Sequence, residues 1–395
     1  MESAPNRLDA RSLQIAVVTE TYSPEVNGVA LTVERMIDGL KRRNHRLQLI
    51  RPKQGESDRP GKIDDNLDLV LMGSIPIPHY DGLKMGLPAK KTLLRLWSEK
   101  RPDIVHISTE GPLGWSALSA AKKLGIPVSS EFHTNFHNYS RHYGIGWLRK
   151  PIIGYLRKFH NKANCTIVST PEMKTALRDM GLINLVVVSR GIDAARFDPA
   201  KRSAELRRQW GIGLAQPVCL YVGRIAPEKN LTLLIQAVER MRLTQPSLKC
   251  VLVGDGPDRR MLEARHPGFV FAGMRSGEDL AIHYASADIF LFPSLTETFG
   301  NVVVEAMASG LAVVAFDHAA AAQHIRHGDN GLTAHFGNSS EFIRLALDLA
   351  NDPARISDLG RRARQSVQSL FPEDTHREME AIFLSVAGGI EHAAD

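Results

Sequence analysis

Short apolar runs alternate with longer amphipathic stretches along this chain from end to end, and that rhythm restricts the fold more than any other feature. Ile15–Val18, Leu47–Ile50, Leu67–Met72, Ile104–Ile107, Val128–Ser130, Thr166–Ser169 and Val186–Val188 have the length and character of buried strands. Between them, 29–42, 113–123 and 172–180 carry helical periodicity. The alternation predicts the α/β class, with parallel sheets covered by helices on both faces. A second series opens at Val218–Val222 and continues through Leu248–Val253, Val270–Phe271, Ile289–Phe292, Ala312–Phe316 and Leu332–Ala334. Helices are expected there over 230–241, 258–264, 277–286 and 301–309. A single core rarely grows past about 250–300 residues, and this chain has 395. The expectation is two tandem Rossmann-like domains facing a cleft, over 1–195 and 196–372. The polar stretch 193–216 reads as the linker between them. A last helix, 372–390, has no strand after it, and 373–395 is expected to pack back on the first domain.

Composition removes several alternatives. The three cysteines, Cys165, Cys219 and Cys250, are far apart and form no CxxC pair, which argues against a disulfide framework or a structural zinc site. They point to a reducing compartment. Met1–Ser12 is polar and has no signal-peptide core. No run of about 18 apolar residues suggests a membrane-spanning helix. The net charge of +6 is modest for this length and matters only where it is concentrated.

Three strand-end loops carry candidate chemistry, because ligands of open α/β sheets bind beyond the carboxyl ends of the strands. The first strand runs into Thr19-Glu-Thr-Tyr-Ser-Pro-Glu-Val-Asn-Gly28, where a helix begins. Backbone amides beside Gly28 would let an anion approach without an intervening side chain. The loop lacks the GxGxxG fingerprint, and a purely structural turn is its other reading. In Tyr221-Val-Gly-Arg-Ile-Ala-Pro-Glu-Lys229, Gly223 ends a strand and Arg224 and Lys229 follow it. A fork-shaped guanidinium and a compact ammonium suit a diphosphate; two cations on a wet loop are the alternative. The Gly254-Asp-Gly256-Pro257 turn, at the next strand end, narrows the same crevice. In Pro293-Ser-Leu-Thr-Glu297-Thr-Phe-Gly-Asn-Val-Val-Val-Glu305, Glu297 is expected to meet sugar hydroxyls and Glu305 a ribose diol, since carboxylates accept from vicinal hydroxyls. Gly300 and Asn301 sit at a helix start, where amides point outward. A carboxylate amid Val302, Val303 and Val304 is otherwise an expensive choice.

His133, in Glu131-Phe-His133-Thr134, is by itself more often structural than catalytic. His137 and His142 do not complete a three-ligand helical face with it. No Asp-x-Asp occurs, so no metal is expected. Finally, 132–171 contains no Asp or Glu, while Arg141, Arg149, Lys150, Arg157, Lys158 and Lys162 stand among Phe136, Tyr139, Tyr143, Trp147, Tyr155 and Phe159. Such a surface suits anionic lipid headgroups. The other reading is a helix with its apolar stripe in the core and its basic face wet. No recognition motif accompanies this charge, so nucleic acid is not expected as a partner.

Taken together, the three loops and His133 resemble the GT-B retaining glycosyltransferases of family 4, over nearly the whole chain and in the family's order. The nearest likeness is to bacterial mannosyl- and glucosyltransferases. The resemblance implies a nucleotide-sugar donor, GDP-mannose ahead of UDP-glucose or another UDP-hexose, and a lipid or glycan acceptor. It implies front-face transfer, and with Asp-x-Asp missing that transfer is expected to be metal-independent; the cysteines and the basic segment lead to the expectation of a cytoplasmic protein, peripheral on the inner face of the membrane. It implies that Gly28 lies by the donor diphosphate, that Arg224 and Lys229 clamp it, and that Gly223, Gly254 and the loop at Met274 border the nucleotide. Glu297 would contact the donor sugar, with the amides of Thr298, Phe299, Gly300 and Asn301 beside it, and His133 would stand near the transferred sugar. Glu305 would hold the ribose. A GT-B nucleotide-sugar epimerase and a nucleotide-sugar-binding regulator without turnover remain alternatives.

Overall fold

The computed structural model describes residues 12–389 other than 24, 26, 57, 77–83, 134–148, 214 and 215, with no account of the Arg149 side chain. The chain divides into two compact units. One holds the described residues up to 133, then Lys150–Val188, and again those from Thr375 onward; the other holds Ser189–Asp374.

The first unit contains β1 (Gln14–Val18), β2 (Arg46–Pro52), β3 (Gly61–Asp64), β4 (Leu67–Met72), β5 (Ser74–Pro76), β6 (Lys84–Gly86), β7 (Ile104–Ile107), β8 (Val128–Glu131), β9 (Cys165–Val168) and β10 (Leu185–Val187). Its main sheet has the order β10-β9-β8-β7-β1-β2-β4-β3. Every pair is parallel except β3 on β4, and β5 with β6 forms a separate antiparallel ribbon. The strands legible as apolar runs include every inner strand and the edge strand β10. The three that were not, β3, β5 and β6, are three or four residues long and lie at an edge or in the separate ribbon, β3 and β5 mostly exposed and β6 partly buried, so they need no apolar run.

The second unit contains β11 (Val218–Val222), β12 (Lys249–Val253), β13 (Val270–Gly273), β14 (Ile289–Phe292), β15 (Ala312–Phe316) and β16 (Leu332–Ala334). All are parallel, in the order β13-β12-β11-β14-β15-β16. Both sheets thus reverse direction of growth once, at β1/β7 and at β11/β14. Loops leaving the two strands at such a point diverge to opposite faces and open a crevice.

One expectation needs correction. The stretch 193–216 is not a free linker, because Phe197, Trp210 and Ile212 are buried in the second core and the helix Ala204–Gln209 forms within it. Its Arg207 is fully buried, donating to the carbonyls of Ser286 and Gly213 and pairing with Asp288. Polarity misled here, since Arg207 is held on internal partners while charges such as Glu205 and Arg208 do face solvent.

The final helix, Pro372–Ala387, belongs to the first unit. Met379, Ile382, Phe383 and Val386 pack with Ile15 and Val17 of β1 and with Val33, Met36 and Ile37 of the helix Gly28–Arg42. Glu380 fastens it by accepting from His45 at 2.9 Å and pairing with Arg43. Phe383 is fully buried. Phe383→Ala should therefore destabilise the first unit by about 3–5 kcal/mol, read as a lowered denaturation midpoint for that unit's transition.

Candidate functional site

In the second unit the loops leaving β11 and β14 are tied to each other across the switch point. The Lys229 ammonium lies 2.5 Å from Glu297 Oε1, with both side chains mostly buried. Asn230 Nδ2 donates to the Pro293 carbonyl at 3.2 Å, and Thr296 Oγ1 donates to the Glu228 carbonyl at 3.2 Å. Asn230 takes a left-handed conformation (φ 55°), which asparagine tolerates better than most residues. That turn starts the helix Leu231–Thr244. Ser294 Oγ also donates to Glu297 Oε1, at 2.7 Å. Burial pushes the Glu297 carboxyl up, but the Lys229 charge and the bonds from Lys229 and Ser294 outweigh it and hold the group below the usual carboxylate range. His318 Nε2 stands 3.3 Å from the Glu297 carbonyl oxygen.

Arg224 sits at the mouth of the same loop with its side chain partly exposed, and its Nη1 lies 3.5 Å from Oε1 of the fully buried Glu228. The Tyr221 hydroxyl donates to the Arg224 carbonyl at 2.9 Å. The adjoining turns stack tightly beneath. Ile225 N donates to the Asp255 carbonyl and Gly254 N to the Gly273 carbonyl. A Cβ on Gly254 (φ +137°) would lie 2.0 Å from the Gly223 carbonyl oxygen, so no other residue fits there. Met274, just past β13, is half exposed.

Further along the β14 loop, Phe299 is buried under the Arg190 guanidinium, 5.5 Å from its ring. Gly300 (φ +87°) caps the helix Asn301–Ala308. Within that helix Glu305 is buried, and its Oε2 accepts from the Tyr284 hydroxyl at 3.1 Å. Thr298 and Asn301 are half-buried beside it. The second unit therefore assembles Gly223, Arg224, Lys229, Gly254, Glu297 and the start of the Asn301–Ala308 helix around one switch point.

Gly28 and His133 belong to the first unit. Asn27 Oδ1 accepts from Val29 N (3.1 Å) and Ala30 N (2.9 Å), so two of the helix-start amides offered to an anion are already capped. A Cβ on Gly28 would meet nothing within 4 Å, and its backbone is not strained, so packing does not demand a glycine there. His133 is buried at the exit of β8, with Nε2 3.2 Å from Glu131 Oε2. Beside it, at the β1/β7 switch point, Glu20 N donates to Thr109 Oγ1 and the Glu20 carboxylate accepts from Gly86 N and Leu113 N.

Of the basic segment, Arg141 and Trp147 lie outside the described residues. In the helix Arg149–His160, Leu156 and Phe159 are buried in the first unit while Lys150, Arg157 and Lys158 are exposed. The apolar stripe of the described part is spent on the core. No helix among the described residues is long and apolar enough to cross a membrane.

Sequence reasoning passed over Glu228, Asn230 and Glu131. Their immediate neighbours give little signal, since Glu228 stands between Pro227 and Lys229 and Glu131 between Ser130 and Phe132, while Asn230 shows only as a residue that tolerates a left-handed turn.

The two-sheet architecture is that of the GT-B glycosyltransferases. Sucrose-phosphate synthase from Thermosynechococcus elongatus superposes with a TM-score of 0.79 at 20% identity, over 96% of this chain and 100% of that one. Anabaena HepE, solved with UDP and glucose, gives 0.74 at 20% identity, over 94% and 99%. Residues 26–196 match the model for Glycosyltransferase Family 4, and 216–352 that for Glycosyl transferases group 1. A Corynebacterium glutamicum protein named GDP-mannose-dependent alpha-mannosyltransferase is 32% identical over 91% of this chain and 85% of its own length. A Mycobacterium tuberculosis protein of the same name is 34% identical over 77% and 79%. The alpha-monoglucosyldiacylglycerol synthase of Acholeplasma laidlawii is 24% identical over 95% and 97%. The chain belongs to the family 4 glycosyltransferases, and it is an enzyme.

Because the Glu297 carboxyl is held below its usual range, its contribution to stability is fully present above that range and is lost as pH falls through the lowered value. Lys229→Met strands the carboxylate and should cost about 3 kcal/mol at neutral pH. Burial then raises the stranded carboxyl, so denaturation of wild type and variant across pH should show the gap beginning to narrow above the usual carboxylate range and closing as pH falls through the lowered wild-type value.

Proposed function

We propose that this glycosyltransferase moves mannose from GDP-mannose to a hydroxyl of a lipid or glycan acceptor, with retention of anomeric configuration and without a metal. The observation that carries the reading is the pair of cations, Arg224 and Lys229, each set against a buried or mostly buried carboxylate at the β11/β14 switch point. Names shared by relatives at 32–34% identity favour GDP-mannose as the donor. The stretch 196–372, within the second unit, takes the donor, and 1–195 with the helix from 373 takes the acceptor.

In this reading the diphosphate leaves as the anomeric bond breaks, and its growing charge meets Arg224, Lys229 and the outward amides at Gly300 and Asn301. Those cations do the work a metal would otherwise do. Lys229 bridges the phosphate and Glu297, which accepts from the sugar hydroxyls. Glu305, oriented by Tyr284, receives the ribose hydroxyls, and the nucleobase rests near Met274. Gly223 and Gly254 let the backbone come close. A phosphate oxygen of the departing group accepts the acceptor's proton on the same face, so no enzyme nucleophile is required. His133 lies by the transferred sugar and Gly28 by the diphosphate. The open space over Gly28, with no packing reason for a glycine, supports that assignment.

Two consequences can be measured. Arg224→Ala and Lys229→Ala should each lower kcat/KM by about 2–4 kcal/mol in activation free energy, whereas Gly28→Leu should abolish turnover and leave the denaturation midpoint unchanged. Proton NMR of the product should show an α-linked mannoside when GDP-mannose is supplied and none when UDP-glucose replaces it. Transfer from UDP-glucose alone would move the assignment to glucosyl transfer, and near-normal turnover in both cation variants would refute the clamp.

We further infer that the exposed Lys150, Arg157 and Lys158 bring the enzyme to anionic lipid, on the cytoplasmic face of a membrane that holds its acceptor. Arg141, Trp147 and Arg149 extend the same basic, aromatic segment. Vesicles containing anionic lipid should bind the protein at low salt, and Lys150→Glu with Lys158→Glu should abolish that binding. Binding that ignores both salt and charge reversal would overturn it.

A further inference from the structure

A strand flanked by parallel neighbours and covered on both faces is ordinarily an apolar run. β8 lies between β7 and β9, and it reads Val-Ser-Ser-Glu with all four residues buried. Its neighbours add His106 on β7, in register with Ser129, and Thr166 on β9, in register with Ser130, both without exposure. Ser129 Oγ lies 3.0 Å from His106 Nδ1, and Ser130 Oγ lies 3.0 Å from both His160 Nδ1 and Thr166 Oγ1. Glu131 ends the series. Its Oε2 stands 3.6 Å from His106 Nε2 and 3.2 Å from His133 Nε2, ion-pair distances at which neither ring nitrogen is aligned for a hydrogen bond.

Valine or isoleucine would pack this sheet without the desolvation that each of these polar groups incurs. Linked buried polar groups rigidify the structure around them, and at the end of this line stands His133. We propose that Glu131 is a positioning residue for glycosyl transfer, its carboxylate fixing the orientation and the proton-bearing nitrogen of the His133 imidazole while His106 steadies it from the β7 side. The inference rests on the reading of His133 as the side chain beside the transferred sugar.

A carboxylate 3.2 Å from Nε2 favours the tautomer with its proton on that nitrogen, and a small rotation of the ring would align the Nε2–H with Oε2. Among the described residues, Glu131 of β8 faces His133, His106 of β7 approaches the same carboxylate, and His160 of the helix Arg149–His160 lies near enough to feel the charge of His133. Burial, and then that charge, hold His160 down to about 3, so it is neutral at working pH.

The test compares full-length wild type, Glu131→Gln, Glu131→Asp, His133→Ala and the Glu131→Gln/His133→Ala double variant, each with its denaturation midpoint. A glutamine is nearly isosteric but offers both a donor and an acceptor, so it no longer selects one tautomer. Glu131→Gln should lower kcat at least tenfold with donor KM within about twofold, Glu131→Asp should recover part of the loss, and the double variant should be no slower than His133→Ala. In protein carrying 15N-labelled histidine, the ring signals absent from His133→Ala should report a single Nε2–H tautomer in wild type and a mixture in Glu131→Gln. Wild-type kcat in Glu131→Gln while His133→Ala is impaired would overturn this proposal alone. So would a fall in kcat with the tautomer unchanged, or losses that multiply in the double variant. Wild-type kcat in His133→Ala would instead overturn the functional reading of His133 itself.

Discussion

The contact between Lys229 and Glu297 organises the second unit's site. It joins the loop that leaves β11 to the loop that leaves β14, the two strands between which the sheet reverses its order of growth. Beside that tie, the two loops, which head for opposite faces, share the bonds from Asn230 and Thr296. With it, a cation and an anion are held mostly out of water at one point, each half-neutralised by the other. A ligand carrying both a phosphate and hydroxyls can then meet Lys229 and Glu297 together, while Arg224, leaning on Glu228, stays partly exposed at the mouth. The stacked glycines beneath, with Gly254 pressed against the Gly223 carbonyl, fix how the floor of this arrangement can run.

Much of this was legible in the residues. The inner strands announce themselves because a doubly covered parallel strand must be an unbroken apolar run, and the β11 and β14 loops carry their chemistry within a few residues of such runs. Legibility failed where burial and polarity coincide. Arg207 looks like linker charge, yet it is buried on carbonyls and Asp288. β8 was read as ending at Ser130, so Glu131 passed as loop although it is the strand's last buried residue. The capping of the Val29 and Ala30 amides by Asn27 was equally hidden, since an Asn-Gly pair serves a helix cap and an anion site alike. The first two misses concern polar groups with partners far off in sequence, which periodicity does not report, and the third is a local cap that its residue types alone do not distinguish from an anion site.

The two units solve one topological problem with different chemistry. Around β11/β14 the fold gathers cations and carboxylates in close pairs. Around β1, β7 and β8 it buries carboxylates and histidines, with Glu20 bound to the amides of Gly86 and Leu113 and Glu131 set between two imidazoles. The first pattern suits a charged leaving group; the second suits a neutral, hydroxyl-bearing ligand that must be oriented rather than neutralised. That contrast is the physical basis for assigning the donor to one unit and the acceptor to the other.

The central claim is that Arg224 and Lys229 hold a diphosphate. Titration calorimetry with GDP and GMP, on wild type and on Arg224→Ala, tests it without any acceptor or turnover. GDP should bind at least tenfold more tightly than GMP, and Arg224→Ala should erase most of that advantage while leaving GMP binding as it was. Equal affinity for the two nucleotides, or an advantage that survives in Arg224→Ala, would contradict the account.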